Sequence, residues 1–201
     1  AVTIAKKACA GAIDKFVALD LGPTGKLLAP YGDLPFEKAV AAYGEMVRYG
    51  VEAGADLILI ETMSDTYETK AAILGAKENC DLPVCVTLTF DEDGKLLTGA
   101  TVEAAALMCE GLGVDAIGFN CGLGPVQVAK LVPQMLQATK LPLIVNPNAG
   151  LPVQRDGKTC FDITPEEYAG LMCALAYVDA PSIMGGCCGT TPAHILSLIH
   201  I

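Results

Sequence analysis

Three cysteines have the residue type and the surroundings of a metal site. Cys121 ends the segment GFNC, and Cys187 and Cys188 are adjacent in GGCCG at 185–189, where glycines permit the sharp turn that two neighbouring ligands require. Thiolates select zinc among the common metals, and three protein ligands with one exchangeable position define a catalytic zinc site. A vicinal pair can also be a redox couple or simply buried, and the 67 residues between Cys121 and Cys188 are not zinc-finger spacing. The metal interpretation therefore requires a fold that brings the three sulfurs together.

The elements that position these cysteines are indicated by alternating apolar and amphipathic segments. Short, near-continuously apolar runs are typical of strands buried on both faces of a parallel sheet, and longer amphipathic stretches between them are typical of βα units. The predicted strands are FVALD (16–20), ADLILIE (55–61), PVCVTLTF (83–90), VDAIGFNC (114–121), LPLIVNPN (141–148) and PSIMGGCC (181–188). The predicted helices cover 36–54, 101–113, 124–139 with an interruption at Pro133, and 164–180.

The polar residues at the strand ends favour a barrel over an open sheet. A barrel builds its active site from the carboxyl ends of all its strands, whereas an open doubly wound sheet concentrates function at one switch point. Nearly every predicted strand here ends in a polar group, from Asp20 to Cys188. Because a closed barrel needs eight strands, we expect residues 1–201 to form a single α/β domain of the (β/α)8 TIM type. It would lack the first two βα units and most of the last helix.

Composition limits the classes of partner and the cellular location. The formal net charge of −10, from 23 acidic and 13 basic residues, disfavours binding to nucleic acid. No apolar run approaches the length of a membrane span, and no signal peptide is recognised, so we expect no membrane partner. Nine cysteines, an odd number located mostly in apolar segments, indicate free thiols in a reducing compartment. These features predict a cytoplasmic protein.

Six motifs along the chain resemble those of the homocysteine S-methyltransferase family. In order they are DLGPTG (20–25), LILIETMSD (57–65), LTFDEDGKLLTG (88–99), GFNCGLGP (118–125), NPNAGLP (146–152) and GGCCGTTP (185–192). The resemblance covers about residues 16 to 194, and the pair GFNC and GGCCG is its most specific part. Within the family, GPTG and NAGLP are most similar to the homocysteine-binding domain of cobalamin-dependent methionine synthases.

The resemblance implies roles for individual residues. It makes Cys121, Cys187 and Cys188 the zinc ligands, and Asn148 the residue whose carboxamide oxygen fills the fourth position until substrate arrives. Beside Pro and Gly, Asn148 could instead be a turn former. Glu61 would bind the amino group of homocysteine, although a strand-end carboxylate can also be a helix cap or a surface charge. Asn120, at a comparable strand end, is a second candidate for substrate binding.

The reaction implied is zinc-dependent methyl transfer to the thiol of homocysteine, which forms methionine. The expected donor is methylcobalamin held on another domain or protein, and betaine or S-methylmethionine are the alternatives used by other members of the family. Two different classes stay open. A phosphate-binding barrel lyase or isomerase could use GGCCGTTP as an anion loop, and a fragment without catalysis could bind zinc through its thiols. The sequence does not determine the oligomeric state.

Overall fold

The computed structural model describes residues 1–179 and 181–200. The strands are β1 Ala18–Leu21, β2 Leu57–Met63, β3 Val84–Leu88, β4 Ala116–Asn120, β5 Leu143–Asn146, β6 Val153–Arg155, β7 Lys158–Cys160 and β8 Ile183–Met184. The helices are α1 Val2–Ala8, α2 Phe36–Glu52, α3 Thr66–Lys77, α4 Val102–Gly111, α5 Pro125–Val128, α6 Val132–Ala138, α7 Pro165–Asp179 and α8 Pro192–Ile199. None of the helices in this part of the chain is both long and apolar enough to cross a bilayer.

Six of the strands form one parallel sheet whose spatial order follows the chain. The order is β1-β2-β3-β4-β5-β8, and each strand pairs in parallel with the one before it. A doubly wound sheet reverses its order at a switch point, whereas a barrel winds in one direction throughout. The observed order is therefore that of consecutive barrel strands. All six predicted strands are present, and most of the observed strand ends lie one to four residues inside the predicted ones.

The two faces of the sheet are buried against different partners. Alternate side chains such as Ile58, Ile60 and Val86 belong to the main core, which they share with residues of the surrounding helices. The residues between them point to the other face, where Cys85 and Ile144 contribute to a small separate apolar cluster. This second cluster is the floor of the barrel interior. The polar strand ends lie above it, at the carboxyl edge.

One local feature agrees with the sequence prediction and another was not predicted. The predicted helix over 124–139 is divided into α5 and α6, because Pro133 cannot donate a backbone hydrogen bond and its ring would collide with the carbonyl of residue 129. The antiparallel hairpin β6–β7 was not predicted. Its turn is Asp156-Gly157, both with positive φ, which is a recognised signal for a two-residue hairpin. Residue 180, at the predicted end of the last long helix, lies outside the described residues.

Helices α2 and α3 are in close contact at Gly75, where no side chain separates their backbones. A Cβ placed on Gly75 would lie 2.8 Å from the carbonyl oxygen of Val40 and 2.9 Å from the backbone nitrogen of Gly44. Both of these atoms are backbone atoms, so neither can move aside as a flexible side chain would. The contact between the two helices therefore depends on the absence of a side chain at this position.

We expect Gly75→Ala to lower the free energy of unfolding by about 1–3 kcal/mol, because the added methyl group overpacks the α2–α3 contact. The matched control is Gly170→Ala in the exposed middle of α7, where an added Cβ meets no atom within 4 Å. That change should raise stability by about 0.5–1 kcal/mol through helix propensity. Urea denaturation measures both. Equal effects of the two substitutions would contradict the packing argument.

Candidate metal and substrate site

The three predicted cysteines converge at the carboxyl edge of the sheet. The ligand atoms of Cys121, Cys187 and Cys188 all lie within 4.8 Å of one another, and the sulfurs of Cys121 and Cys188 are 3.6 Å apart. In a tetrahedral zinc site with Zn–S bonds of about 2.3 Å, two sulfurs are separated by about 3.8 Å. The observed sulfur positions therefore fit one zinc ion.

Strand β5 lies between the two cysteine-bearing strands and holds the vicinal pair in place. The backbone nitrogen of Cys187 donates to the carbonyl of Pro147 at 2.9 Å, and that of Ala149 donates to the carbonyl of Cys188 at 2.9 Å. Asn148 is only 3% exposed, and its Oδ1 accepts from the backbone nitrogen of Cys188 at 3.0 Å. The structure thus places Asn148 directly against the cysteine turn. Its role as a fourth ligand stays a prediction.

The thiols of the site lie close together, with Cys121 and Cys187 half-buried and Cys188 exposed. Burial raises the pKa of Cys187, and the neighbouring Cys121 raises it further. Burial, followed by a hydrogen bond with Cys121, also raises the pKa of Cys188. Thiolates at this spacing repel one another unless a cation lies between them. A divalent metal bound between the thiolates would therefore stabilise this arrangement.

Tyr168, in α7, supports the site and was not identified from the sequence. Its side chain is fully buried, and its hydroxyl lies 3.1 Å from the carbonyl oxygen of Pro147 and 2.7 Å from that of Gly185. Burial, and then the nearby Cys187, raises the pKa of Tyr168, so the hydroxyl keeps the proton that it donates. It joins the ends of β5 and β8 just before Asn148 and the cysteine pair.

His194 lies in the first turn of α8 and caps that helix. Its Nδ1 accepts from the backbone nitrogen of Thr191 at 3.1 Å, which leaves Nε2 to donate to the carbonyl of Ile163 at 3.0 Å. Both ring nitrogens are therefore occupied by backbone groups. The same contact uses a backbone donor at the start of α8, where the phosphate-binding alternative would need free donors.

Glu61 and Asp20 lie on neighbouring strands at the mouth of the barrel. Glu61 follows Leu57 and Leu59 on the inner face, and it is half-buried. Burial raises the pKa of Glu61, with a further contribution from the nearby Asp20, and burial alone raises the pKa of Asp20. Asp20 is itself exposed to solvent, and two neighbouring carboxylates, one of them half-buried, attract a cation. An ammonium group of a substrate is suited to this position.

Asn120 lies between the residue after Glu61 and the cysteines. It is 1% exposed, its Oδ1 accepts from the backbone nitrogen of Thr62 at 3.0 Å, and its Nδ2 lies 2.6 Å from the Oγ1 of Thr62. The same Nδ2 is 3.8 Å from the sulfur of Cys187. The predicted contact between Asn120 and substrate stays a prediction. The bonds observed are to the protein itself.

Fold and site together define a class: parallel α/β barrel proteins with three convergent thiols at the carboxyl ends of the strands. A profile of the homocysteine S-methyltransferase family matches residues 1–200. The chain therefore belongs to the homocysteine S-methyltransferase family, and the family predicted from the motifs is confirmed.

Individual relatives agree with this assignment. The chain is 35% identical over 186 residues to the methionine synthase of Mycobacterium tuberculosis and 34% identical to that of Mycobacterium leprae. The alignments cover 90% of this chain but only 16% and 15% of those proteins, so the chain spans a small part of their length.

Solved structures confirm the TIM-type fold. The homocysteine methyltransferase MmuM from Escherichia coli, in its apo form, superposes with a TM-score of 0.74 at 26% identity. This match covers 98% of the chain and 66% of the MmuM chain. The metallated form gives a TM-score of 0.69 at 25% identity. The carboxyl transferase domain of Rhizobium etli pyruvate carboxylase, at a TM-score of 0.57 and 16% identity, shares the fold alone.

We expect Glu61→Gln to leave the protein at least as stable as wild type at pH 7. Because the pKa of Glu61 is raised above its ordinary 4.5 in the native state, that state binds more protons than the unfolded chain between the two values. The wild-type free energy of unfolding therefore falls as the pH rises through that window. Urea denaturation between pH 4 and 8 measures the difference between variant and wild type, which should grow with pH. Glu45→Gln, on the exposed face of α2, is the control, and a loss of stability for Glu61→Gln at pH 7 would contradict the argument.

We expect Tyr168→Phe to lower the free energy of unfolding by about 1–3 kcal/mol, because the carbonyl of Gly185 loses the hydroxyl and that of Pro147 keeps only the backbone nitrogen of Cys187. The exposed Tyr177→Phe in the same helix is the matched control and should change stability by less than about 0.5 kcal/mol. Thermal or urea denaturation compares the two variants. A similar effect of both substitutions would show that the Tyr168 hydroxyl does not join the two strand ends.

Proposed function

We propose that the protein containing this chain transfers a methyl group to the thiol of homocysteine, forming methionine, with zinc held by Cys121, Cys187 and Cys188. The observation that carries the proposal is the convergence of three thiols within 4.8 Å, at the same edge of the sheet as the half-buried carboxylate of Glu61. Membership of the homocysteine S-methyltransferase family and similarity to methionine synthases support it.

The chemistry required is activation of a thiol. At a reference pKa of about 8.5, only a few per cent of a free thiol is ionised at neutral pH. Zinc bound by the three cysteines would supply a Lewis acid that holds the substrate sulfur as a thiolate without a general base. The three cysteine thiolates would hold the zinc and lower its positive charge, so that a substrate thiolate would stay nucleophilic.

The remaining residues orient the substrate. The Glu61 carboxylate would bind the ammonium group of homocysteine, and Asp20 lies close enough to Glu61 to add to the attraction. Asn148, against the backbone of Cys188, is the proposed fourth ligand in the absence of substrate. Fixing both ends of homocysteine removes rotational freedom before reaction, which can contribute several kcal/mol, on the order of 7–11 at most, to lowering the barrier.

The proposed donor is methylcobalamin carried on another domain or protein. The support is the similarity to methionine synthases, of which this chain matches only about a sixth. In the transfer, a carbon–sulfur bond forms while the bond between the methyl carbon and its donor breaks, and the electron pair of that bond leaves with the donor. Betaine and S-methylmethionine are the alternative donors.

The proposed location is the cytoplasm. All nine cysteines are free in the structure, and in an oxidising compartment three thiols in mutual contact would be prone to disulfide formation. Homocysteine and a cobalamin-carrying domain are the proposed partners.

Zinc content tests the metal site. We expect about one zinc per chain in the full-length protein and a large loss in Cys187→Ser, because a serine hydroxyl is a poor zinc ligand. Cys160→Ser, in the hairpin strand β7 outside the cysteine cluster, is the matched control and should keep its zinc. Elemental analysis of the purified proteins measures all three. Equal zinc in wild type and Cys187→Ser would remove the proposed site.

The reaction is tested by methyl transfer to homocysteine with methylcobalamin, betaine and S-methylmethionine supplied in separate assays. We expect methionine with methylcobalamin, and a rate at least about 100-fold lower for Cys187→Ser than for Cys160→Ser. Methionine formed only with another donor would replace methylcobalamin in the proposal. Stoichiometric zinc without activity on any donor would favour a binding role without catalysis.

A further inference from the structure

We infer that Asn120 is a positioning residue that couples the metal ligand Cys187 to the substrate-binding end of β2. The inference rests on the proposed function and adds to it a physical connection between the two halves of the site. Asn120 is 1% exposed, so it acts from beneath the mouth of the barrel. Its carboxamide contacts one residue on each side of the site: Thr62, next to Glu61, and Cys187.

The first contact stabilises an irregular strand end. In the pairing of β2 with β3, Ile60 lies opposite Val86 and Met63 opposite Leu88, so two residues of β2 face one residue of β3. Such a bulge redirects the side chains at the point where it occurs. The two residues of the bulge are Glu61 and Thr62. The bulge therefore sets the direction of the Glu61 side chain, whose carboxylate is predicted to bind the substrate.

Thr62 needs external support to keep this conformation. Its φ is +62°, in the left-handed region, which is unusual for a β-branched residue and costs on the order of 1–3 kcal/mol. Asn120 provides that support by accepting from the Thr62 backbone nitrogen at 3.0 Å and donating to its Oγ1 at 2.6 Å. The bulge, and with it Glu61, is held by a side chain from two strands away.

The second contact reaches the metal site. Because the Thr62 backbone nitrogen can only donate, Oδ1 of Asn120 must face it, and Nδ2 then faces Cys187. The amide nitrogen lies 3.8 Å from the Cys187 sulfur, a distance suitable for an N–H···S contact. One amide thus makes all three contacts. Aspartate has nearly the same shape but offers no donor.

Groups that hydrogen-bond to metal ligands orient them, and their loss commonly costs 10–100-fold in metal affinity. In the full-length protein, we expect Asn120→Asp to weaken zinc binding by about 10–100-fold, measured by competition with a chromophoric chelator. The cobalt-substituted variant should also show an altered sulfur-to-metal charge-transfer band. With zinc saturating, its KM for homocysteine should rise by about tenfold, while kcat changes less.

Asn79→Asp is the matched control. Asn79 also uses both ends of its carboxamide, with Nδ2 donating to Gly75 and Oδ1 accepting from Arg48, but it lies outside the site. We expect it to lose stability without any change in zinc affinity or in KM beyond about twofold. If the Asn120→Asp variant matches this control in zinc affinity, charge-transfer band and KM, the inference is overturned and Asn120 is a purely structural residue.

A second variant keeps the inference testable if Asn120→Asp does not fold. Thr62→Val removes only the hydroxyl that Nδ2 contacts, at a residue that is not a metal ligand. Coupling through Asn120 predicts that its zinc affinity falls by roughly threefold to tenfold and that its KM for homocysteine rises. Unchanged values for both would overturn the inference.

The same measurements separate the inference from the proposed function. Wild-type protein that binds no zinc contradicts the proposed function, whatever the variants do. Wild-type protein that binds zinc and methylates homocysteine, with Asn120→Asp and Thr62→Val indistinguishable from it, contradicts the inference alone.

Discussion

The meeting of three sulfurs at one point depends on how the chain leaves strands β4 and β8. These strands flank β5, so their backbones are separated by two strand spacings, about 9.6 Å. The sulfurs of Cys121 and Cys188 are nevertheless 3.6 Å apart, and the backbone turns just after each of the two strands. Cys121 has a φ of +57°, and the segment after β8 turns at Cys188 and Gly189, where the φ of Gly189 is +79°. Parallel pairing brings the strand ends to the same edge, and the cysteine side chains at these two turns cover the remaining distance.

The electrostatics of the mouth favour cations at both ends of the site. Burial raises the pKa of Asp20 and Glu61 on one side, and of Cys187 and Cys188 on the other. Each group is thus less readily ionised than in water, and its ionisation is favoured again when a cation binds beside it. A divalent metal satisfies the sulfurs, and an ammonium group satisfies the carboxylates. An amino acid with a thiol side chain has one group for each end, which is why the proposed substrate suits the site.

Much of the fold, and the cysteines of the site, could be predicted from the sequence because they depend on local or repeated patterns. Apolar runs at regular intervals predicted six parallel strands, and distinctive motifs around Cys121 and Cys187 predicted the family. The supporting contacts could not be predicted in the same way. Tyr168 and Asn120 act on backbone groups of residues far away in the chain, and a backbone carbonyl or amide has no residue type that a motif could reveal. The Asp-Gly turn of the β6–β7 hairpin differs, since its signal was present and local.

The distribution of backbone strain shows why the site and the fold cannot be separated. Four residues other than glycine have positive φ in the described chain: Asp14, Thr62, Cys121 and Asp156. Aspartate tolerates this region in turns, but threonine and cysteine do not share that tolerance, and both occur at the site. Their conformations persist only because neighbouring strands hold them, as Asn120 holds Thr62. A metal bound across β4 and β8 would in turn bind only the native arrangement and so stabilise it. The sheet thus keeps the strained residues in place, and a metal bound there would offset part of that strain by holding the two strand ends together.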